Sequence, residues 1–201
     1  MNLTILGAGA WGTALGIALS ERHQVTLWAR DPAQRAELAR DRRSRYLREA
    51  ALPAGVAVAD DATAAIQTAE MVIVATPTAG LRGALETVRD TRRRVPVVWV
   101  CKGFEQASAK LPHQVVAEVL RADAPCGALS GPSFALEVAR GLPTALTLAA
   151  ADAGLARTLA RELHQRRLRV YFSDDVTGVE VGGAVKNVMA IATGIADGLG
   201  L

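Results

Sequence analysis

Short apolar runs alternate along most of this chain with longer segments whose apolar residues recur at helical spacing. Residues 3–6, 25–29, 56–58, 71–75, 95–101, 126–130, 143–149 and 169–173 have the length, bounding turns and apolar content of strands. Residues 13–22, 60–69, 80–90, 111–121 and 152–165 read as the helices between them. The uninterrupted run Met71-Val72-Ile73-Val74-Ala75 is what a strand covered on both faces requires. Regular alternation of this kind predicts an α/β architecture, a doubly wound and largely parallel sheet flanked by helices. No repeat, linker or low-complexity tract interrupts it, so residues 1–175 form one domain in this reading.

The pattern changes near residue 176. A long helix is predicted over 180–199, rich in small residues such as Gly182, Gly183, Ala184 and Gly194. At about 100° per residue, Lys186, Ala190, Thr193 and Asp197 share one stripe while Val181, Val185, Val188 and Ile195 lie away from it. The expectation is a buried helix whose polar stripe faces a cavity. A lysine in such a place is costly unless paired or functional, which makes Lys186 the strongest catalytic candidate by position.

Composition narrows the class. With 201 residues and 50% hydrophobic content the chain can bury a sizeable core, and 4% aromatic residues suit helices packed closely on a sheet better than a β-sandwich. A net charge of +3 favours acidic small molecules over nucleic acid or membrane. Cys101 and Cys126 have no metal-ligand spacing and read as buried apolar thiols, so no metal is expected. Met1 leads directly into a strand and no apolar stretch reaches 18 residues, from which we expect a cytoplasmic protein without an integral membrane segment.

The chemistry centres on Gly7-Ala8-Gly9-Ala10-Trp11-Gly12, placed between the first strand and the first helix. In that context the first glycine makes the tight turn, the second admits a pyrophosphate against bare backbone, and the third brings helix to strand. The helix N-terminus supplies unpaired N–H groups for phosphate. This is the signature of a Rossmann-like dinucleotide-binding fold. Arg30 follows the second strand, where an acidic residue would select NAD and an arginine can meet a 2′-phosphate, while Asp31-Pro32 has the form of a helix cap. NADP or dual use is therefore expected. The basic run from Arg40 to Arg48 lacks a nucleic-acid motif and reads as a solvated helix face and loop. Thr76, Thr78 and Lys102 end buried strands on the rim where open α/β sheets bind ligands, and Gly131-Pro132-Ser133 makes a turn with N–H groups and a hydroxyl to offer.

Taken together these segments resemble the bacterial NAD(P)-dependent glycerol-3-phosphate dehydrogenases. The motifs that carry the resemblance are Gly7-Ala-Gly-Ala-Trp-Gly-Thr-Ala14, Lys102-Gly-Phe-Glu105, Ser130-Gly-Pro-Ser-Phe-Ala135, Gly141-Leu-Pro-Thr-Ala145, Gly178-Val-Glu180, Gly183-Ala-Val-Lys-Asn-Val188 and Asp197-Gly-Leu-Gly200. The ordered set spans the whole chain and is far more specific than the glycine hexad. It implies reduction of dihydroxyacetone phosphate to sn-glycerol 3-phosphate for phospholipid synthesis.

The resemblance also assigns roles. Gly7, Gly9, Ala10, Trp11, Gly12, Arg30, Tyr46 and Ala135 would contact the dinucleotide, with Ala10 and Tyr46 indicated by the resemblance alone. Lys102 would touch both cofactor and substrate, Gly131 and Ser133 would hold substrate, and Lys186 would be the acid/base. Asn187, about 100° further round the helix, is a weaker candidate for orienting substrate. Ala10 stands where the family often has serine, and Thr76-Pro77-Thr78 where Val-Pro-Ser is usual. The family continues past the equivalent of Leu201 into an all-helical substrate domain. The resemblance thus implies a C-terminally truncated chain, with residues 176–201 the first helix of that domain and a homodimer as the form available to the full length. Two other readings stay open here: another two-domain reductase of the hydroxyacid or ketopantoate type, and a dinucleotide-binding module without turnover.

Overall fold

The computed structural model describes residues 1–121 and 123–200; the side chain of Asn187 lies outside the described residues. The chain opens with β1 (Asn2–Leu6), α1 (Ala10–Leu19), β2 (Gln24–Trp28) and α2 (Pro32–Asp41). A small hairpin, β3 (Arg43–Ser44) with β4 (Leu47–Ala51), precedes β5 (Val56–Val58), α3 (Ala62–Gln67) and β6 (Met71–Val74). A single 3-10 turn, Thr78–Gly80, leads into α4 (Leu81–Asp90), then β7 (Val97–Trp99), α5 (Pro112–Val119) and β8 (Cys126–Ser130). The last elements are α6 (Ala135–Ala139), β9 (Thr144–Ala149), α7 (Ala153–Leu163), β10 (Leu168–Ser173) and α8 (Val176–Leu199).

Eight strands form one sheet in the order β10-β9-β8-β7-β6-β1-β2-β5. The chain builds outward from β1 through β2 to β5, then returns to lay β6 on the other side of β1. That reversal opens a crevice between the C-terminal ends of β1 and β6, where open α/β sheets take ligands. The sheet's two faces are both covered, as the unbroken apolar strands demand. Leu3, Ile5, Leu27 and Ile73 pack with Leu15, Leu19 and Leu38 on one side. On the other, Leu6, Val72, Val74 and Trp99 pack with Ile66, Leu85 and Val116.

Four expectations are corrected or refined. The largely parallel sheet is as expected, with one departure: β9 runs antiparallel to β8. The connection over residues 131–143 holds only the five-residue α6, which packs on α1 instead of crossing back along the sheet, so β9 starts from the rim where β8 ended. Second, the basic stretch after α2 folds into the β3–β4 hairpin, not a loop. Its arginines are tied down: Arg45 pairs with Glu37 and Asp31, and Arg42 donates to the carbonyls of Pro53 and Val56. Third, both cysteines are half-buried rather than fully enclosed. Burial still pushes the Cys101 thiol up to about 12, which keeps it an unreactive thiol near neutral pH.

Fourth, α8 is not a buried helix. It starts four residues earlier than its pattern indicated, capped by Asp175, whose side chain accepts from the Gly178 N–H at 2.7 Å. Its first half lies on β8 and β9, but beyond Lys186 it leaves the sheet. Val188 and Ile191 are each 65% exposed, and Ala190, Thr193 and Asp197 of the polar stripe are exposed as well. An apolar helix needs a surface to bury against, and among the described residues its second half has none. Among those residues α8 is also the one helix long and apolar enough to cross a membrane by length and composition, yet its first half carries Glu180 and Lys186 against the sheet.

Candidate active site

The glycine turn is shaped as its spacing requires. Gly7 has φ +116°, a conformation other residues avoid, and a Cβ there would come within 2.6 Å of the Ala75 carbonyl oxygen. A Cβ on Gly12 would overlap the Gly7 carbonyl, whereas one on Gly9 would meet nothing within 4 Å. The first and third glycines therefore serve the fold, and the second leaves open space in front of the α1 N-terminus. No side chain caps that terminus, and its first internal bond runs from the Thr13 N–H to the Gly9 carbonyl, leaving earlier N–H groups for a ligand. The Trp11 indole N–H is buried without a partner among the described residues, which makes it a further candidate donor.

Residues from α2 and the hairpin hold the turn in place. The Ala8 carbonyl accepts from Gln34 Nε2 at 2.7 Å, Ser44 Oγ at 3.2 Å and Thr13 Oγ1 at 3.3 Å. Arg30 is exposed just past β2, and Asp31 is occupied by capping, accepting from the Ala33 N–H at 2.9 Å. Tyr46, 58% exposed, sits at the tip of the hairpin that Ser44 anchors to the glycine turn. Ala10 opens α1, and Ala135 opens α6, which packs against it. These positions fit a dinucleotide: space at Gly9, free backbone donors behind it and a polar flank leading to Arg30.

The second group lies across the rim, at the ends of β7 and β8. Lys102 follows β7 and is half-buried; its Nζ donates to the Gly131 carbonyl at 3.0 Å. Burial first, and then the neighbouring Lys186 charge, lower its pKa. The loop carrying it is braced twice. Thr78 Oγ1 donates to the Lys102 carbonyl at 3.0 Å, and Arg82 grips Glu105 through two bonds of 2.9 Å while reaching Glu118 at 2.7 Å. Arg82, together with the Ser108 hydroxyl, holds the Glu105 carboxyl down to about 2.

Helix α8 closes this side. Lys186 is half-buried with its ammonium 4.6 Å from the centre of the exposed Phe134 ring. With Ser130, Gly131, Thr147, Gly182 and Gly183 it lines a groove of about 220 Å³. Gly183 fits so closely that a Cβ would overlap Ser130 Oγ and come 3.6 Å from Lys102 Cγ. The hydroxyls of Ser130 and Ser133 are buried and have no hydrogen-bond partner among the described residues. Two lysines, the unsatisfied Ser130 hydroxyl and a small open groove thus converge at the C-terminal ends of β7 and β8, an arrangement suited to a small anion carrying polar groups. Gly131 differs from expectation in its reason: a Cβ there would lie 2.8 Å from the Ala145 carbonyl, so its bare backbone serves the β8–β9 contact as well as any ligand.

The group that ties α8 down is Glu180, which the sequence offers only as the end of a motif and without a role. The Glu180 carboxylate is buried and accepts from Trp99 Nε1 at 2.7 Å and from the His113 N–H at 2.8 Å, with His113 Nδ1 at 2.5 Å from its other oxygen. A buried acid held by three hydrogen bonds from Trp99 on β7 and His113 on α5 fixes the helix on which Lys186 stands six residues later. Its only trace in the sequence is an acid amid small and apolar residues in Gly178-Val179-Glu180-Val181.

The switch-point crevice, the glycine cradle and the lysine-lined rim beside it define a Rossmann-type protein that binds NAD or NADP. Residues 2–156 match the family described as NAD-dependent glycerol-3-phosphate dehydrogenase N-terminus, and residues 175–201 match the corresponding C-terminus. The chain belongs to this glycerol-3-phosphate dehydrogenase family. It is 57% identical over 202 residues to the glycerol-3-phosphate dehydrogenase [NAD(P)+] of Dechloromonas aromatica, covering 100% of this chain and 61% of that protein. The enzyme of the same name from Nitrosomonas eutropha is 56% identical, with 99% and 61% covered. The crystal structure of glycerol-3-phosphate dehydrogenase from Coxiella burnetii superimposes with a TM-score of 0.89 at 36% identity, over 98% of this chain and 61% of that one. This chain thus spans about three-fifths of the length of the relatives it matches.

Proposed function

We propose that this chain carries the cofactor site and part of the substrate site of an NAD(P)-dependent glycerol-3-phosphate dehydrogenase, reducing dihydroxyacetone phosphate to sn-glycerol 3-phosphate for glycerophospholipid synthesis. Residues 1–175 are the dinucleotide-binding domain in this reading, and residues 176–201 belong to a helical substrate domain. The observation that carries it is the convergence of Lys102, Lys186 and the Ser130 hydroxyl on the same rim as the glycine cradle.

Gly7, Gly9, Ala10, Trp11, Gly12, Arg30, Tyr46 and Ala135 would hold the dinucleotide, which when bound supplies a hydride to the substrate's carbonyl carbon. As that carbon is reduced, negative charge gathers on its oxygen. Lys186 as an ammonium stabilises that charge and delivers the proton, leaving a neutral amine and a secondary alcohol. In the reverse direction the amine takes the hydroxyl proton back. Lys102, with Gly131 and Ser133, would hold the phosphate end; an anion there would reverse the lowering that burial and Lys186 impose on Lys102. The hydrogen bond to the Gly131 carbonyl holds the Lys102 ammonium against the groove in the meantime.

The test is NADPH oxidation on adding dihydroxyacetone phosphate, using this chain alone and joined to the C-terminal segment of the Dechloromonas relative. Turnover in the joined protein, reduced about 10²- to 10⁴-fold by Lys186→Ala with NADPH binding retained, is the expected result. Tight NADPH binding without turnover in the joined protein would sink the proposal in favour of a binding module.

A further inference from the structure

At the opposite edge of the sheet from this rim, the C-terminal ends of α4 and α5 spread apart over the starts of β7 and β8. The groove between them, of about 410 Å³, is larger than the one beside Lys186 and within the range of small-molecule sites. Its floor is apolar, formed by Val88, Val95, Val97, Leu120 and Pro125. Among the described residues its walls carry five arginines, Arg89, Arg92, Arg93, Arg94 and Arg121, against one lining carboxylate, Asp123.

Most of these cations have local partners. Arg89 pairs with Asp90, Arg94 and Arg121 share Asp123, and Arg93 donates to the Ala69 carbonyl at 3.2 Å. Among the described residues Arg92 makes no ion pair and its side chain no hydrogen bond. Its backbone sits at φ +57°, in the position after a helix end that glycine fills without strain. Arg42 has the same left-handed backbone after α2, but its guanidinium is held by two carbonyls. Arg92 keeps the unfavourable conformation and gains no such contact, while lining an open groove.

We propose that this groove binds an anionic amphiphile, a phosphate monoester on a short alkyl chain, with Arg92 as its principal headgroup contact. Guanidinium groups suit phosphate because they offer paired N–H donors, and the valine and leucine floor suits the alkyl part. Such a ligand could be a free small molecule or a lipid in a membrane, and the chemistry recognised is the same. The site is independent of the rim chemistry and of the proposed reduction.

Octyl phosphate below its micelle concentration is the probe, titrated calorimetrically into the 201-residue chain, with inorganic phosphate and octanol as its separate halves. One saturable site is expected for octyl phosphate, about tenfold or more tighter than for either half, and weakening as salt rises. Arg92→Gly should weaken it about tenfold while leaving thermal stability unchanged or higher, since glycine is unstrained at this backbone position. Arg92→Glu combined with Arg93→Glu should abolish it. A parallel arm measures sedimentation with phosphatidylcholine vesicles with and without phosphatidic acid: arginine-dependent capture by phosphatidic acid assigns the ligand to lipid, and its absence alongside octyl phosphate binding assigns it to a soluble monoester. Absence of saturable binding, equal binding by the variants, or phosphate alone binding as tightly as octyl phosphate overturns the proposal.

Discussion

The two sides of the rim are built by different rules. On the glycine side, Gly7 seats against Ala75, Gly12 against Gly7, and the Ala8 carbonyl takes donors from Thr13, Gln34 and Ser44, all within the first half of the chain. On the α8 side, Lys186 depends on Glu180, whose partners Trp99 and His113 are 81 and 67 residues away in sequence, and beyond it the helix is exposed. The cofactor half is thus self-supporting, and the substrate half hangs on a few long-range contacts. Damage to the first should be global, and damage to the second local.

Gly12→Val is the severest way to break the comparison, because even a Cβ there overlaps the Gly7 carbonyl. We expect a loss of about 3 kcal/mol in urea unfolding and no measurable NADPH binding by fluorescence titration. Unchanged stability would mean that the turn is not packed as described. Next in size is Glu180→Ala, which strands the Trp99 and His113 donors at a cost of about 1–3 kcal/mol. Here amide hydrogen exchange should quicken over residues 176–186 and stay slow in β1, β2 and β6, with Glu180→Gln intermediate. Exchange rising equally throughout would show that the two sides are not separable.

The smallest effect is a titration that sharpens the comparison within the second side. Glu105 has its folded-state value depressed to about 2, below the ordinary value of about 4.3. Its contribution to holding the Lys102 loop is therefore complete above about 4.3 and disappears as pH falls through about 2. Side-chain NMR should place the wild-type midpoint near 2 and bring it back towards about 4 in Arg82→Gln. A midpoint indifferent to that substitution would remove Arg82 as the brace.

What could be read from residues alone follows the same divide. The central strands were legible because they are continuous apolar runs, and Asp31-Pro32 because a cap and a fixed φ act locally. The glycine turn was legible for the same reason: its three glycines answer to neighbours in one supersecondary unit. The β3–β4 hairpin was not, since its short strands are rich in arginine and lack apolar alternation. Neither was the reversal of β9, which depends on where α6 packs. The polar stripe of α8 was drawn correctly as geometry but misjudged as burial, because periodicity gives the direction of a face without saying what it meets. Glu180 is legible only as part of the Gly178-Val-Glu180 motif and without a role of its own, because its importance lies in partners brought from β7 and α5.

Gly183 has a meaning beyond close packing. Its missing side chain lets α8 and β8 meet like a key cut to one lock, with Ser130 as the ward. Turned so that Ala184 took its place, the helix would carry a side chain into that notch. The angle at which Lys186 faces the groove is therefore set one turn earlier, by a residue with no side chain. A protein engineer wishing to redirect that lysine would do better to recut the notch, changing Ser130 and Gly183 as a pair, than to alter the lysine itself.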